Sequence, residues 1–211
     1  MIPSKNEMIA AYEARHGKEL QKKLSAATVA VCGLGGLGSN ISIALSRAGI
    51  GKLILIDFDS VDISNLHRQQ YKANQLGLPK TEALSSNLSE IAPYTALETH
   101  TVKITEENAA DLLSGADIIC EAFDNPRAKA MLANTVLERL PDKYYIAASG
   151  MAGIDSANTI KTRRLSKYFY ICGDGVSEVG KSEGLFAARV MACAAHQAHT
   201  VIRILAGKFD V

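Results

Sequence analysis

The sequence has 211 residues, of which 47% are hydrophobic and 21% are charged, a composition typical of a folded globular protein and not of a disordered chain. Its 23 basic and 22 acidic side chains give a formal net charge of +1, which argues against a general surface for nucleic acid or anionic membrane. No segment approaches the roughly 20 apolar residues of a membrane span, and the N-terminus lacks the apolar run of a signal peptide. We therefore expect a single cytoplasmic domain over residues 1–211, in which any charged partner binds a local patch.

Apolar spacing along the chain predicts alternating helices and strands. Residues 5–24 predict a surface helix within an N-terminal helical segment, 1–25. Strands are predicted at 28–32, 52–57, 97–102, 116–123 and 144–149, and helices at 39–48, 80–91 and from 126 to about 140. This alternation is typical of an α/β fold with a doubly wound, mostly parallel, Rossmann-like sheet, so 26–150 is predicted to be a nucleotide-binding core.

The last third, residues 151–211, has a different character. Residues 157–172 are rich in β-formers but include the polar run KTRRLSK, which predicts an antiparallel or exposed extension of the sheet. The glycine-rich stretch 173–184 predicts a mobile linker, and 185–206 predicts a long apolar helix packed on the sheet or on another subunit. The four cysteines are widely separated and form no C-x-x-C pair, so we expect neither a disulfide framework nor a zinc site.

A glycine-rich turn, VCGLGGLGSN, follows the first predicted strand. Gly33, Gly35 and Gly38 have the G-x-G-x-x-G spacing, in which the first glycine makes the turn, the second admits the ligand and the third lets helix and strand pack closely. The spacing alone is a weak signal, since NAD, FAD and ATP proteins share it. Asp57, about 20 residues further on, fits the acidic residue that holds a ribose.

The segment after Asp57 favours a polyphosphate over a nicotinamide ring. It reads DFDSVDISNLHRQQY and gathers polar and charged side chains at the carboxyl end of the second strand: Asp59, Ser64, Asn65, Arg68 and Gln69. Ligands of open parallel sheets bind beyond the carboxyl ends of the strands. A guanidinium with amides and a hydroxyl at that edge suits phosphate oxygens.

Four motifs in a fixed order carry a family resemblance. VCGLGGLGSN, LILIDFDSVDISNLHRQ, GLPK and EAFDNPRAK together resemble the ThiF/MoeB/HesA family, relatives of the ubiquitin-activating enzymes, over about residues 15–150. SGMAG at 149–153 and the short tail look closest to the compact thiamine-biosynthesis ThiF-like branch. The resemblance implies an adenylyltransferase that uses ATP and Mg²⁺ to convert the C-terminal glycine of a ThiS-like, ubiquitin-like sulfur carrier into an acyl adenylate, with release of pyrophosphate. It also implies a homodimer.

The same resemblance implies roles for single residues. Asp57 would hold the ribose, Lys80 of GLPK would bind phosphate oxygens, and Asp124 would hold magnesium. Arg15 corresponds to an arginine that commonly reaches into the partner subunit's ATP site, whereas His67 departs from the family's usual asparagine. The nucleotide pocket would also include Gly33, Gly35, Gly36, Gly38, Asp59, Ser64, Asn65, Arg68, Gln69 and Asn125.

These residue types suit the implied reaction. A carboxylate that attacks an α-phosphate brings two anions together, so the site must neutralise charge on the transferred group and on the departing pyrophosphate. Arg68, Lys80 and a magnesium ion at Asp124 would do so. No general base is needed, because the attacking carboxylate is already ionised near neutral pH.

Each assignment has a plainer structural alternative. Asp59 could order the following loop, Lys80 could be an ordinary residue at a helix start, and Asp124 could cap the helix that begins at Pro126. Cys172, in the polar setting YICGDG, is expected to be a partly exposed structural cysteine; the alternative is a covalent bond to a carrier.

Other features have structural alternatives as well. His196 and His199 are expected to serve packing or the surface and not a metal, and KTRRLSK is expected to be a solvated strand and not a docking patch. Three competing activities stay open: an NAD-dependent oxidoreductase, an ATP-dependent relative that modifies a tRNA base, and a non-catalytic binding module.

Overall fold

The chain folds around one seven-stranded sheet. The computed structural model describes residues 2–178, 180 and 184–211. The strands are β1 Thr28–Cys32, β2 Lys52–Ile56, β3 Ala96–His100, β4 Ile118–Glu121, β5 Tyr144–Ala148, β6 Lys161–Arg164 and β7 Phe169–Gly173. The helices are α1 Lys5–His16, α2 Lys18–Ala26, α3 Gly36–Arg47, α4 Lys80–Ile91, α5 Ala109–Leu113, α6 Pro126–Arg139 and α7 Ala187–Leu205.

The sheet has the order β3-β2-β1-β4-β5-β7-β6, and every neighbouring pair is parallel except β6 and β7. The predicted α/β, Rossmann-like, mostly parallel sheet with an antiparallel extension is therefore confirmed. β1 lies between β2 and β4, so the strand order reverses beside β1. Such a reversal opens a crevice at the carboxyl ends of the strands, where ligands of doubly wound sheets bind.

Side chains of alternate strand residues enter two hydrophobic layers. Val29 and Val31 of β1 join the layer covered by α2, α3, α4 and α7, whereas Ala30 and Cys32 join the layer covered by α5 and α6. This double coverage explains why the central strands are continuous apolar runs. In the described part of the chain, no helix combines the length and the apolar character needed to cross a bilayer.

Three features of the helices differ from the prediction for local reasons. The single N-terminal helix is divided into α1 and α2 at Gly17, whose φ of 90° interrupts the helical backbone. α3 starts at Gly36 and not at residue 39, so the glycine-rich motif itself forms the first turn. The short helix α5 was not predicted. Within the predicted mobile linker 173–184, residues 179 and 181–183 lie outside the described residues.

A buried arginine joins the loops at the carboxyl edge to α7. The Arg189 guanidinium donates to the carbonyls of Ala152, Asp155 and Ser156 and forms a salt bridge of 2.6 Å with Asp174. Both side chains of the salt bridge are about 95% buried, with 5% and 4% exposed. A positive charge in the first turn of a helix interacts unfavourably with the helix dipole. The three carbonyls and the Asp174 carboxylate offset this cost for Arg189.

Asp174 should make stability depend on acid pH. Burial alone raises the pKa of Asp174, but hydrogen bonds from Ser177 and Val176 and the contact with Arg189 outweigh it and leave the pKa at about 2. A depressed pKa stabilises the fold above the unfolded value of about 3.9 and loses that contribution as pH falls toward 2. We expect Asp174→Asn to lower the free energy of unfolding by about 2 kcal/mol at pH 7 and to flatten its change between pH 4 and 2.

Urea unfolding at several pH values measures this effect. The matched control is Asp142→Asn, because Asp142 is exposed in the structure. An Asp174→Asn protein with wild-type stability at pH 7 would contradict the assignment.

Candidate nucleotide site

The glycine-rich turn lies at the carboxyl end of β1. Gly33 has a φ of 91°, and a Cβ there would lie 3.0 Å from the carbonyl oxygen of Ala122 in the loop after β4. A Cβ at Gly38 would overlap the carbonyl oxygen of Gly33, so only glycine lets the turn and α3 pack this closely. At Gly35 the nearest atom to such a Cβ is Gln69 Nε2, at 3.7 Å, which leaves room beside the backbone. Gly33 and Gly38 thus have the turn and packing roles predicted from their spacing.

The N-terminus of α3 faces this turn without a side-chain cap. Gly35 is the N-cap residue, and no side chain accepts from the first backbone N–H groups. Uncapped N–H groups and the helix dipole favour an anion at this position. Gly36 packs against two side chains, since a Cβ there would lie 2.9 Å from Val190 Cγ1 and 3.6 Å from Arg68 Cγ. The Arg68 stem therefore lies beside the first turn of α3.

Asp57 fixes the turn from the end of β2. Its carboxylate accepts from the backbone N–H of Leu34 at 2.6 Å and from that of Asp59 at 2.8 Å, and its exposed fraction is 7%. Burial raises the pKa of Asp57, and the positive charge of Lys80 acts in the opposite direction. Tyr71 donates its hydroxyl hydrogen to the carbonyl of Leu34 at 2.7 Å. Tyr71 was not predicted from the sequence, although it ends the RQQY run that carries the neighbouring polar residues.

Lys80 and Asp59 are brought together from two loops. Lys80 Nζ lies 2.9 Å from Asp59 Oδ2, and the Lys80 side chain is 6% exposed while that of Asp59 is 49% exposed. Lys80 is also the first residue of α4, and its backbone N–H donates to the carbonyl of Asp59. Both plainer alternatives therefore have a structural basis: Asp59 orders its loop through its contact with the Lys80 ammonium, and Lys80 begins α4.

The short 3₁₀ turn Ile63–Asn65 precedes Arg68 and Gln69. Arg68 donates to the carbonyl of Ser64 at 3.0 Å, and Asn65 donates to the Ser64 hydroxyl at 3.3 Å. Gln69 is 7% exposed, and its Oε1 atom has no hydrogen-bond partner among the described residues. A buried polar atom without a partner is costly, and this one belongs to the side chain whose amide faces Gly35. A ligand with a hydrogen-bond donor would satisfy it.

Asp124 and Asn125 follow β4 on the other side of the crevice. Asn125, and not Asp124, caps α6: its side chain accepts from the N–H groups of Arg127 and Ala128 at 2.9 and 3.0 Å. The suggestion that Asp124 is the cap is therefore wrong, because the cap position immediately precedes Pro126. Asp124 is exposed, and its carboxylate has no partner among the residues that the structure describes. It lies one residue after Phe123, whose ring approaches Gly33.

A buried ion pair supports the loop that carries Asp124. Glu121 is 1% exposed and accepts from Lys129 Nζ at 2.8 and 3.0 Å and from the N–H of Phe123 at 2.6 Å. Lys129 also donates to the carbonyl of Ala148, and Gln197 of α7 donates to the carbonyl of Glu121. Burial raises the pKa of Glu121, whereas Lys129 opposes the rise. This ion pair was not predicted from the sequence. The feature that indicates it is a glutamate, Glu121, at the end of an apolar run.

Arg15 is not brought to this site. It is an exposed residue of α1. The two N-terminal helices lie beside Gly49, since Gln21 donates to the carbonyl of Gly49 and a Cβ at Gly49 would lie 3.1 Å from the Tyr12 ring. Gly49 precedes β2, so this is the amino edge of the sheet, opposite the candidate site. Within one chain, Arg15 therefore has no contact with the other predicted catalytic residues.

Cys172 is buried, and the expectation of partial exposure is wrong. Its exposed fraction is 0%, and burial raises the pKa of its thiol. Side chains alternate along β7, so Cys172 points into the hydrophobic layer that contains Val190 despite its polar neighbours in sequence. A buried thiol with a raised pKa is a poor nucleophile.

The arrangement favours a polyphosphate with its charge spread along the crevice. An uncapped helix N-terminus, the Arg68 guanidinium and the Lys80 ammonium supply positive potential on one side, and the exposed Asp124 carboxylate lies on the other. The described residues hold no group of three or more His, Cys, Asp or Glu side chains fit for a metal. Mg²⁺ needs only one or two carboxylates when phosphates and water complete its shell, so Asp124 fits a nucleotide-bound magnesium ion.

Two curated relatives are named as adenylyltransferases. The chain is 36% identical over 155 residues to molybdopterin-synthase adenylyltransferase of Haemophilus influenzae, which covers 71% of this chain and 64% of that protein. It is 38% identical over 127 residues to adenylyltransferase and sulfurtransferase MOCS3 of Anopheles gambiae, covering 59% of this chain and 29% of the relative. The match thus spans less than two thirds of each relative's length.

Solved structures give the same fold over a longer stretch. The E. coli tRNA N6-threonylcarbamoyladenosine dehydratase TcdA, in complex with ATP, superposes with a TM-score of 0.86 at 20% identity over 99% of this chain and 98% of that one. The E. coli MccB complex with ATP gives a TM-score of 0.72 at 24% identity, over 99% of this chain and 67% of that one. The ThiF family itself matches residues 9–210. This chain, with its glycine turn, Arg68, Lys80 and Asp124 at one edge of the sheet, belongs to the ThiF family.

Proposed function

We propose that the chain is an ATP-dependent adenylyltransferase that activates the C-terminal glycine carboxylate of a ubiquitin-like sulfur carrier. The carrying observation is that Arg68 packs on the first turn of α3 while Asp57 ties the same turn to the loop that holds Lys80. The names of the sequence relatives support the reaction class, and the ATP complexes of TcdA and MccB support the nucleotide.

The proposed reaction transfers an adenylyl group to a carboxylate. The carrier's carboxylate oxygen attacks the α-phosphorus of ATP, the bond from that phosphorus to the bridging oxygen breaks, and pyrophosphate leaves with the electron pair. No proton moves, so the site needs charge neutralisation and not a base. The N–H groups at the start of α3 and Arg68 would stabilise the phosphates, and Lys80 would exchange part of its contact with Asp59 for a phosphate oxygen.

Three further contacts complete the proposal. The Asp57 carboxylate, which already accepts two backbone N–H groups, retains lone pairs for ribose hydroxyls. Asp124 would hold Mg²⁺, which supplies positive charge to the triphosphate when bound. Ser64, Asn65, Gln69 and Asn125 would line the same pocket.

The carrier and the assembly are finer parts of the same proposal. We propose a ThiS-like carrier, on the resemblance of SGMAG to the thiamine branch, and a cytoplasmic homodimer. Since Arg15 lies at the opposite edge of its own sheet, it would act in the partner subunit's site or not at all. A Cys172 thioester is excluded from the proposal because the thiol is buried.

ATP–pyrophosphate exchange with radiolabelled pyrophosphate tests the activity. We expect label to enter ATP only when a purified ubiquitin-like carrier ending in Gly-Gly is present, and the same carrier without its last two residues to give none. Exchange at the same rate with and without the carrier would contradict the proposal. So would the absence of exchange with every member of a panel of ThiS-like and related carriers.

A tRNA base is the second candidate substrate. The edge strand β6 exposes Lys161, Arg163 and Arg164, a basic row of the kind that contacts phosphates. The exchange assay discriminates between the carrier and the tRNA as substrates. A tRNA-dependent enzyme consumes ATP when tRNA is present, and the carrier does not change its rate.

A further inference from the structure

An open cavity of about 510 Å³ lies away from the nucleotide site. Its walls are the edge strand β6, one face of the second half of α7, and the chain segment after α7. Val190 of α7 touches the glycine turn, whereas His196 to Arg203 line the cavity, so at 1.5 Å per residue the cavity residues lie roughly 9 to 20 Å further along the helix. The cavity is therefore separate from the candidate nucleotide site.

The lining is strongly basic. Five of its side chains can carry positive charge: Lys161, His196, His199, Arg203 and Lys208. Asp210 is the only acidic side chain among the described residues that line it, and its carboxylate is already held by Arg203 at 2.8 Å. Lys161 and Lys208 are exposed and have no acidic partner in the described part of the chain. In a chain with a net charge of +1, this is a local concentration of positive charge.

The inner end of the cavity offers an oriented imidazole. His196 Nδ1 lies 2.9 Å from the Thr162 hydroxyl, and its Nε2 atom has no partner among the described residues. Burial and then the positive charge of His199 lower the pKa of His196. The hydroxyls of Tyr170 and Thr200 donate to backbone carbonyls. They therefore contribute to the shape of the cavity and not to its charge.

We propose that this cavity binds a small phosphate monoester. Two exposed lysines, beside the Arg203 guanidinium that Asp210 already pairs, match the two negative charges of a phosphate monoester better than the single charge of a carboxylate. The volume of about 510 Å³ exceeds what a phosphate group fills, which leaves room for its organic part beside Tyr170 and Ile160. This proposal does not depend on the proposed adenylyltransferase activity.

The test uses ribose 5-phosphate, with inorganic phosphate and uncharged ribose as comparison probes. Calorimetry gives the affinities, and NMR follows the imidazole signals, which the variants His196→Gln and His199→Ala assign. We expect ribose 5-phosphate to shift both signals and to bind more tightly than inorganic phosphate, while ribose gives no shift. The double variant Lys161→Ala/Lys208→Ala should weaken binding by tenfold or more, because each lost charge-assisted contact contributes about that factor.

Arg68→Ala is the matched control, since Arg68 belongs to the other site. It should leave ribose 5-phosphate binding unchanged; loss of binding in Arg68→Ala but not in the double lysine variant would overturn the proposal. If inorganic phosphate binds as tightly as ribose 5-phosphate, the site recognises a free anion, and the proposal of a phosphate monoester is overturned. The proposal would also be overturned if the protein is a dimer in which both imidazoles are shielded from solvent and their signals respond to none of the probes. In that case the cavity would be filled by a second copy of the chain.

The pH dependence is a further check, with sulfate as a probe that stays dianionic between pH 6 and 8. Besides the two histidines, the charged and titratable groups that face the cavity are Lys161, Arg203, Lys208, Asp210 and Tyr170. Protonation of His196 adds positive charge to the cavity, so sulfate should bind more tightly at pH 6 than at pH 8. Binding that is independent of pH would contradict the contribution of His196.

Discussion

Arg68→Ala should reduce carrier-dependent ATP–pyrophosphate exchange by about 10²- to 10³-fold in kcat/KM, the range seen when one group that stabilises transition-state charge is removed. The Arg68 stem lies against Gly36 at the start of α3. Among the residues that the structure describes, its guanidinium contacts only the Ser64 carbonyl and His67. It is therefore free to turn toward a triphosphate, and its removal leaves no buried group without a partner.

Two variants show whether the loss comes from this position. Arg68→Lys keeps the charge but not the planar fork, so it should recover only part of the rate. Arg47→Ala removes an exposed arginine from the other end of α3 and should leave exchange unchanged. An Arg68→Ala enzyme with near wild-type exchange would remove Arg68 from the mechanism, and an equal loss in Arg47→Ala would point to a nonspecific effect of surface charge.

Lys129→Met should lower the free energy of unfolding by about 3–5 kcal/mol at pH 7, because it leaves Glu121 charged and buried without its partner. Lys129 is 24% exposed while Glu121 is 1% exposed, so water can reach the lysine but not the carboxylate. The variant should also be less active, since Glu121 holds the N–H of Phe123 in the loop that carries Asp124.

The pH dependence of this variant has a definite sign. Burial already raises the pKa of Glu121, and loss of the ammonium raises it further. A carboxyl group with a raised pKa in the fold binds its proton more tightly than in the unfolded chain, so the stability of Lys129→Met should recover as pH falls from 7 toward 5. Urea unfolding across that range measures it.

The double variant Glu121→Gln/Lys129→Met is the matched control. It removes both charges and should be more stable at pH 7 than Lys129→Met alone. A Lys129→Met protein as stable as wild type, or a double variant less stable than the single one, would contradict the buried-charge explanation.

The sequence predicted the order and type of the main elements because their signals are local. α4 is observed at the predicted bounds, and the central strands are continuous apolar runs, as burial on both faces requires. The split at Gly17 and the early start of α3 were missed because a glycine is compatible with a helix break and with a first turn, and packing decides between them.

The candidate site was predicted in part for the same reason. Gly33, Asp57, Arg68 and Lys80 follow strand ends or occupy short motifs, so topology alone brings them to one edge. Glu121 and Lys129 were missed because their contact depends on how α6 packs under β4. Cys172 was misjudged because its direction is set by the alternation along β7, which outweighs the polarity of its neighbours in sequence.

The contact between Gly36 and Val190 links the two ends of the polypeptide at one point. A methyl group on the glycine would press on Val190 Cγ1, and a larger side chain at 190 would press on the glycine. An alanine at position 36 therefore requires the Val190 side chain to shift or a smaller residue at position 190. A chimera that takes its glycine turn from one relative and its last helix from another keeps this packing when the two residues fit each other in size.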